Sequence, residues 1–246
     1  MTKTTKNKIL QDARKAKNDE FYTQFSDIER ELQYYKEHFR NKVVYCNCDD
    51  PCNSNFFAYF VSNFKELGLK KVIGSCYKEW TNGYYYEYSG TNGENDKPTL
   101  TDVTYFKWDG DFRSPESIDF LKQSDIIVTN PPFSLFREYI AQLDKYNKHF
   151  LIIGSINAVT YKEIFKLIKK NKLWLGVNFG RAISGFIVPD HYELYGTEFK
   201  IDSLGNRIVL INNCTWFTNL DVPRCHEDIV LTKRYFGNES IYPRRS

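Results

Sequence analysis

The sequence has no long apolar run, and this absence sets the first limits on the chain. No stretch approaches the roughly 20 apolar residues that a membrane helix needs, and none near the N-terminus resembles a signal peptide. The six cysteines show no disulfide framework, and Cys46, Cys48 and Cys52 lack both a usual zinc spacing and a nearby histidine. We therefore expect reduced thiols, no bound metal and a cytoplasmic location.

A strong excess of either charge is also missing. Lys and Arg number 34 against 31 Asp and Glu, a formal net charge of +3 that permits a nucleic-acid partner without requiring one. The basic residues that do cluster are Lys3, Lys6, Lys8, Arg14, Lys15, Lys17, Lys169, Lys170, Lys172, Arg244 and Arg245. Each cluster taken alone is most simply solvated surface charge.

Aromatic residues are abundant, with 18 Tyr and 19 Phe against a single Met. An apolar fraction of 41% is ample for a packed core, so we expect the chain to fold. The length of 246 residues fits one large domain, or a domain with a substantial insertion. Aromatic rings can also stack on bases, but they serve cores first.

Strands and helices are predicted to alternate after a polar first segment, residues 1–20, which we expect to be a flexible basic arm. Short apolar runs at 43–46, 71–75, 125–129 and 150–154 predict buried parallel strands, with helical periodicity between them. Two Asn-Gly turn signals interrupt this rhythm, so residues 80–108 are interpreted as a β-rich insertion or hairpin. The pattern predicts a three-layer α/β domain with a mainly parallel sheet over residues 21–172, followed by a β-rich region, residues 173–246.

Helix starts are predicted from side chains that cap the first turn. Two sites fit the Ser/Thr-x-x-Glu capping box, and three rest on a single capping residue. The expected caps are Ser26 with Glu29, Asn53 or Ser54, Ser114 before Pro115, Ser134, and Thr160 with Glu163.

The stretch Asn130-Pro131-Pro132-Phe133 is the one best suited to chemistry. It follows a predicted buried strand and precedes a helix, at the edge where open α/β sheets bind ligands. Two consecutive prolines fix two φ angles and remove two amide donors, so rigidly held oxygens remain. The plainer alternative is a turn in which the prolines simply end the strand.

Those oxygens suit an amino-group substrate such as adenine, whose exocyclic nitrogen is a poor nucleophile. If the Asn130 side-chain oxygen and the Pro131 carbonyl each accept one N–H bond, the lone pair of the nitrogen turns toward an electrophilic methyl group. Phe133 can stack on the purine, a contact that contributes roughly 1–3 kcal/mol. The adenine would first have to be flipped out of its duplex.

Asp/Asn-Pro-Pro-aromatic at this position is the signature of amino-methyltransferases, and the similarity extends to several separated motifs in order. The stretches that carry it are NDEFYTQFSDIE (18–29), VVYCNCDDPCNSNF (43–56), GDFRSPE (110–116) and DIIVTNPPFSLFREYI (125–140). They resemble the EcoRI-type adenine-specific (N6) DNA methyltransferase family. The resemblance implies a Rossmann-like S-adenosylmethionine-dependent methyltransferase fold. It also implies methyl transfer to the N6 of a flipped-out adenine in double-stranded DNA, in a restriction–modification, phage or mobile-element setting.

The resemblance also implies which residues bind the cofactor, although the usual glycine-rich Phe-x-Gly-x-Gly is absent. The implied residues are Tyr22, Thr23, Asn47, Asp49, Asp50, Asp111, Phe112 and Asn130. Tyr22 and Thr23 lie in a segment similar to the one that surrounds the methionine part of the cofactor. Asn47, Asp49 and Asp50 stand where the amino acid moiety of the cofactor is bound. Asp111 and Phe112 resemble the pair that binds its adenine. On residues alone, 47–50 would be an Asx-type turn, and Glu79 is a weak substitute for a ribose carboxylate.

The motif order places target recognition after the catalytic stretch, in residues 173–246. Arg181, Arg207 and Arg224 are the candidates for phosphate or guanine contacts. Family members generally continue beyond residue 246, so we expect a short or truncated recognition region. The expected partner is double-stranded DNA, and we expect no membrane association. We expect the protein to be a monomer. A cognate restriction endonuclease is possible in the same system, without direct contact.

Two other functions stay open at this stage. One is methylation of an amino group on RNA or on a protein. The other is a truncated, non-catalytic DNA-binding protein that keeps the methyltransferase fold. Cofactor binding separates the second from the enzymes, and substrate choice separates the enzymes from one another.

Overall fold

Helices and strands alternate through most of the chain that the structure describes. This computed structural model describes residues 22–90, 97–179, 182–188, 199–203, 205–210, 213–222 and 226. Its helices there are α1 (Phe25–Leu32), α2 (Asn55–Ser62), α3 (Pro115–Gln123), α4 (Phe136–Lys145) and α5 (Lys162–Lys169). Its strands are β1 (Tyr22–Thr23), β2 (Val43–Asn47), β3 (Lys71–Cys76), β4 (Tyr84–Tyr88), β5 (Thr104–Tyr105), β6 (Ile126–Thr129), β7 (His149–Ser155), β8 (Trp174–Leu175), β9 (Phe186–Val188), β10 (Phe199–Ile201), β11 (Arg207–Val209) and β12 (Cys214–Thr218). In the described ranges no helix is both long and apolar enough to cross a membrane.

An eight-stranded sheet forms the centre, in the order β5-β4-β3-β2-β6-β7-β12-β8. Its middle strands β3, β2, β6 and β7 are parallel, whereas β4, β5, β12 and β8 pair in antiparallel fashion. From β2 the chain builds the sheet in one direction through β3 to β5, and it then returns to add β6 and β7 on the other side of β2. The strand order therefore reverses between β2 and β6, and such reversals open a crevice at the carboxyl ends of parallel strands.

Helices cover both faces of this sheet. On one face, α1 and α2 pack with Val44, Val128 and Trp216 in one hydrophobic core. On the other, α3, α4 and α5 pack with Tyr45 and Ile152. The mixed α/β layers and the largely parallel sheet are those predicted from the alternating pattern of the sequence.

A second, antiparallel sheet lies beside α2, in the order β1-β9-β11-β10. Thr23 of β1 pairs with Phe186 of β9, and the Asn55 side chain at the start of α2 donates to the Thr23 carbonyl at 2.8 Å. Phe186 is fully buried in the same core as α1 and α2. Residues far apart in the sequence are thereby brought against the first turn of α2.

Two buried carboxylates of α1 hold the segment that leads to β9. Asp27 accepts from the backbone nitrogen of Ser184 at 2.7 Å, and Glu31 accepts from the backbone nitrogens of Val177 at 2.7 Å and Asn178 at 3.0 Å. The Tyr35 hydroxyl also donates to Glu31, at 2.9 Å. Both carboxylates are fully buried, so their bonds replace water that they cannot reach.

Two of the predicted helix caps are confirmed. Ser54 accepts from the backbone nitrogens of Phe56 and Phe57 at the start of α2. Ser114 accepts from the backbone nitrogen of Ser117, directly before Pro115 at the start of α3.

Three predicted caps are wrong. The helix expected to begin at Ser26 begins one residue earlier, because the side chain of Gln24 is bonded to Ser184 and Gly185 and fixes the first turn. Ser134 lies inside a 3₁₀ turn, Phe133–Leu135, that starts directly after the two prolines. Thr160 ends a second 3₁₀ turn and donates its hydroxyl to the Asn157 carbonyl at 2.8 Å, so Tyr161 precedes α5 instead.

The predicted domain boundaries stay predictions. Within 80–108, strands β4 and β5 lie in the central sheet beside β3. Within 173–246, strands β8 and β12 also lie in the central sheet, while β9, β10 and β11 form the second one with β1. The expected arm, residues 1–20, lies outside the described residues.

We expect Glu31→Ala to lower the free energy of unfolding by about 3 kcal/mol, because it removes the acceptor of two backbone donors, of the Tyr35 hydroxyl and of the Asn178 side-chain amide. Urea unfolding followed by circular dichroism measures this change. Glu29→Ala, an exposed position on the same helix, is the matched control and should change stability by no more than about 0.5 kcal/mol. Equal losses in the two variants would contradict the role given to Glu31.

Candidate active site

The ends of β2 and β6 meet at the point where the strand order reverses. The hydroxyl of Thr129, the last residue of β6, lies against both the Asn47 carbonyl and the Asp49 carboxylate. After Asn47, the chain turns through Cys48, whose φ of 65° is in the left-handed region. This turn places two successive aspartates, Asp49 and Asp50, in the loop that leads from β2 to α2.

The Asp49 carboxylate connects three segments. Its Oδ1 accepts from the hydroxyl of Ser54, the cap of α2, at 3.0 Å. Its Oδ2 accepts from the backbone nitrogen of Asn130 at 3.3 Å and lies against the Thr129 hydroxyl. Asp49 is 8% exposed, so these bonds are made almost without water.

Burial raises the pKa of Asp49 to about 7. The hydrogen bonds from Thr129, Ser54 and Asn130 lower this pKa, but they only partly offset the loss of hydration, and the neighbouring Asp50 carboxylate raises it further. The carboxyl therefore changes its protonation state in the neutral range.

The Asp50 carboxylate turns the other way, toward β4. It accepts from the Tyr84 hydroxyl at 2.8 Å and from the Cys52 backbone nitrogen at 2.9 Å. The Lys78 ammonium lies 3.8 Å from it, which is too long for a hydrogen bond. Sequence reasoning found neither Tyr84 nor Lys78. Tyr84 reaches the site through the antiparallel pairing of β4 with β3, and Lys78 lies just past the end of β3.

The predicted catalytic stretch 130–133 follows β6 at this same place. Asn130 is partly buried and Pro131 is buried, and the Pro132 carbonyl accepts from the Leu135 backbone nitrogen at 3.0 Å. The partly buried Phe133 ring packs edge-on against Phe186 of β9, with ring centroids 6.2 Å apart. The second sheet thus forms one wall beside the motif, a contact that the sequence pattern did not reveal.

Two other predicted cofactor residues, Asn47 at the end of β2 and Phe112 in the turn before α3, contact Tyr139 of α4. Its hydroxyl donates to the Asn47 side-chain oxygen, and its ring lies edge-on to Phe112, 5.1 Å away. All three are buried. Nothing in the sequence distinguished Tyr139 from an ordinary apolar-face residue of the helix.

Asp111, next to Phe112, is paired with Arg113. The guanidinium makes two bonds to the carboxylate, at 2.7 Å and 2.9 Å, and also reaches Glu138 of α4 at 3.0 Å. Partial burial raises the pKa of Asp111, but the hydrogen bonds and charge of Arg113 outweigh it and hold this pKa below its ordinary value. Asp111 is therefore ionised at neutral pH.

On the opposite side of the crevice lies β1, with Tyr22 and Thr23. The Thr23 hydroxyl is buried and has no hydrogen-bond partner among the described residues. A buried hydroxyl without a partner is costly, so this one fits a ligand that carries polar groups.

The expected DNA contacts are only partly within the described residues. Arg207 begins β11, where its guanidinium lies over the Phe199 ring at 5.8 Å. Arg181 and Arg224 lie outside the described residues. In the ranges given above, no cluster of three or more His, Cys, Asp or Glu could hold a metal ion.

We expect Asp49 to make the folded protein less stable as the pH rises toward and through 7. Its folded pKa of about 7 is above the ordinary 3.8, so its contribution to stability is complete below pH 3.8 and is lost as the pH rises through about 7. Urea unfolding at a series of pH values, compared with Asp49→Asn, measures this contribution. Parallel pH dependences of the two proteins would rule out the raised pKa.

Comparison with known proteins identifies relatives over nearly the whole chain. The model of the family "Adenine-specific methyltransferase EcoRI" matches residues 9–246. Type II methyltransferase M.EcoRI of Escherichia coli is 62% identical over 99% of this chain and 78% of its own length. Type II methyltransferase M.MgeORF184P of Mycoplasma genitalium is 41% identical, over 94% of this chain and 71% of its own.

A third relative, Type II methyltransferase M.MpnI of Mycoplasma pneumoniae, is 39% identical over 94% of this chain and 70% of its own length. No solved structure matches the chain significantly. The matches include the strand ends that meet at Asp49 and the Asn-Pro-Pro-Phe stretch beside them. The chain belongs to the EcoRI-type family of adenine-specific methyltransferases.

Proposed function

We propose that this protein transfers a methyl group from S-adenosylmethionine to the N6 of a flipped-out adenine in double-stranded DNA, as the modification half of a restriction–modification system or in a phage or mobile element. The observation that carries the proposal is the position of residues 130–133. They stand at the reversal of strand order, bonded to the loop that follows β2, where a ligand above the sheet meets both segments. The family and its named relatives support the same chemistry.

In the proposed mechanism, Asn130 and Pro131 bind the adenine amino group through the side-chain oxygen and the backbone carbonyl. Two accepted N–H bonds direct the nitrogen lone pair away from the purine plane, which makes the nitrogen a better nucleophile. Phe133 stacks on the base, and Phe186 holds the Phe133 ring from behind. When bound, S-adenosylmethionine would supply the electrophilic methyl group from its sulfonium and leave as S-adenosylhomocysteine, and the adenine nitrogen would then lose one proton to water.

The residues at the crevice fit that cofactor. The buried Thr23 hydroxyl, which has no partner among the described residues, offers a hydrogen bond to the polar methionine end, beside Tyr22. The Asp50 carboxylate can pair with the ammonium group, since its present cation, Lys78, is held loosely at 3.8 Å. The ionised Asp111 can accept from the adenine amino group of the cofactor, with Phe112 packed beside it.

The proposal extends to the architecture and the partners. We propose that the central sheet is of the Rossmann-like methyltransferase type, on the strength of its four parallel strands and the order reversal between β2 and β6. Residues 21–172 then carry the cofactor and the chemistry, and residues 173–246 contribute to target recognition through Arg181, Arg207 and Arg224. The protein acts as a monomer and makes no direct contact with a cognate endonuclease.

We expect Asn130→Ala to lower methyl transfer at least about 100-fold, because the nitrogen would lose the acceptor that orients it. Transfer of labelled methyl from S-adenosylmethionine to unmodified double-stranded DNA measures this. Binding of S-adenosylhomocysteine, followed by calorimetry, should stay within about threefold of wild type.

Asn63→Ala, which follows α2 away from the crevice, is the control and should retain normal transfer. Near-normal turnover in Asn130→Ala would refute the catalytic role. A wild-type protein that binds the cofactor but labels no DNA would point to another substrate or to a non-catalytic DNA-binding protein.

We expect Asp111→Ala to weaken S-adenosylhomocysteine binding by about tenfold, because one charge-assisted hydrogen bond is lost. Calorimetric titration measures the dissociation constant. Asp119→Ala, which removes an exposed carboxylate from α3, is the matched control. Equal dissociation constants in wild type and Asp111→Ala would remove Asp111 from the cofactor site.

A further inference from the structure

Asp49 is bonded toward the catalytic stretch rather than toward the open crevice. Its two oxygens are used by Ser54 on one side and by Thr129 and Asn130 on the other. The family resemblance implied a cofactor contact for this residue, whereas the bonds of the neighbouring Asp50 lie within its own loop and toward β4.

The amide that Asp49 holds is the only one available in this turn. Pro131 and Pro132 have no backbone N–H, so Asn130 carries the single backbone donor of the Asn-Pro-Pro triplet. No ladder of strand hydrogen bonds can therefore fix the triplet from its donor side. The Asp49 carboxylate supplies the acceptor instead, and it holds the preceding residue, Thr129, through the hydroxyl.

The other end of the connection is anchored in α2. Ser54 accepts from the backbone nitrogens of Phe56 and Phe57 at 3.1 Å and 3.4 Å, and it donates to Asp49. The rings of both residues are buried in the core. A continuous path of hydrogen bonds thus runs from the first turn of a rigid helix to the Asn130 backbone.

We propose that Asp49 is a positioning residue, which fixes the backbone of Thr129 and Asn130 so that the Asn130 side chain is held ready for the adenine amino group. This inference rests on the proposed function and adds a residue that acts through Asn130 without touching substrate. The expected effect of losing Asp49 on kcat follows from geometry, because a misplacement of about 1 Å near the reacting atoms can lower the rate about 100-fold.

The test compares Asp49→Ala with Asp49→Asn and Thr129→Val. The alanine removes the acceptor, whereas the asparagine keeps an oxygen that can accept from Asn130 and an amide that can donate to Ser54. Thr129→Val removes only the hydroxyl and keeps the shape of the side chain. Asp119→Asn, on the exposed side of α3, is the control for loss of a carboxylate.

Four quantities are measured for each variant: kcat with double-stranded DNA, the Kd for S-adenosylhomocysteine, the Tm, and hydrogen exchange of the Asn130 amide by NMR. We expect Asp49→Ala to lower kcat about 100-fold, with the Kd within about threefold of wild type and faster exchange at Asn130. Asp49→Asn should recover kcat to within about tenfold of wild type and restore slow exchange. For Thr129→Val, kcat and the exchange rate of the Asn130 amide should lie between the values for Asp49→Ala and Asp49→Asn.

Three outcomes would overturn the inference. If Asp49→Ala binds S-adenosylhomocysteine much more weakly than wild type, and Asp49→Asn does not restore binding, Asp49 is a cofactor ligand. If Asp49→Ala lowers kcat and the folded fraction by the same factor, and exchange of the Asn130 amide is unchanged, Asp49 has only a structural role. Wild-type kcat in both Asp49→Ala and Thr129→Val would exclude any positioning effect. If wild type transfers no methyl group, the proposed function fails, while Asn130 exchange still decides whether Asp49 holds the motif.

Discussion

The carboxylate of Asp49 lies where the ends of β2 and β6 meet, and it is bonded to both the helix that follows one strand and the turn that follows the other. The two strands are neighbours in space but are separated by more than 75 residues of chain. Since the strand order reverses between them, the described helices that follow the two strands, α2 and α4, pack on opposite faces of the sheet. A ligand above the sheet therefore meets protein groups from both halves of the molecule.

A buried carboxylate is costly unless it is well bonded, and here burial raises the pKa of Asp49 to about 7 despite three hydrogen-bonded neighbours. The residues around it have short polar side chains, Ser54 and Thr129, that fit between packed rings. The fold thus maintains a polar centre beside cores that contain both aliphatic and aromatic side chains. Such a local conflict between stability and polarity is typical of functional sites.

The second sheet completes the site from the other side. Its strand β9 pairs with β1 and brings Phe186 against Phe133, while Asp27 and Glu31 of α1 fasten the segment that leads to it. Gly176 leaves room for this arrangement, because a Cβ there would lie 2.3 Å from a Glu31 oxygen. One wall of the crevice consequently depends on contacts between residues about 150 positions apart.

The sequence by itself determined the buried strands, the caps at Ser54 and Ser114, and the Asn-Pro-Pro-Phe turn at a strand end, because each depends on neighbours within a few residues. It could not determine that Ser26, Ser134 and Thr160 fail as caps, since distant contacts or adjoining 3₁₀ turns decide those helix starts. Tyr84, Tyr139 and Phe186 reach the site only through strand pairing and helix packing. The bonds from Asp49 to Thr129 and Asn130 were likewise decided by the tertiary structure alone, because β2 and β6 meet only when the sheet is formed.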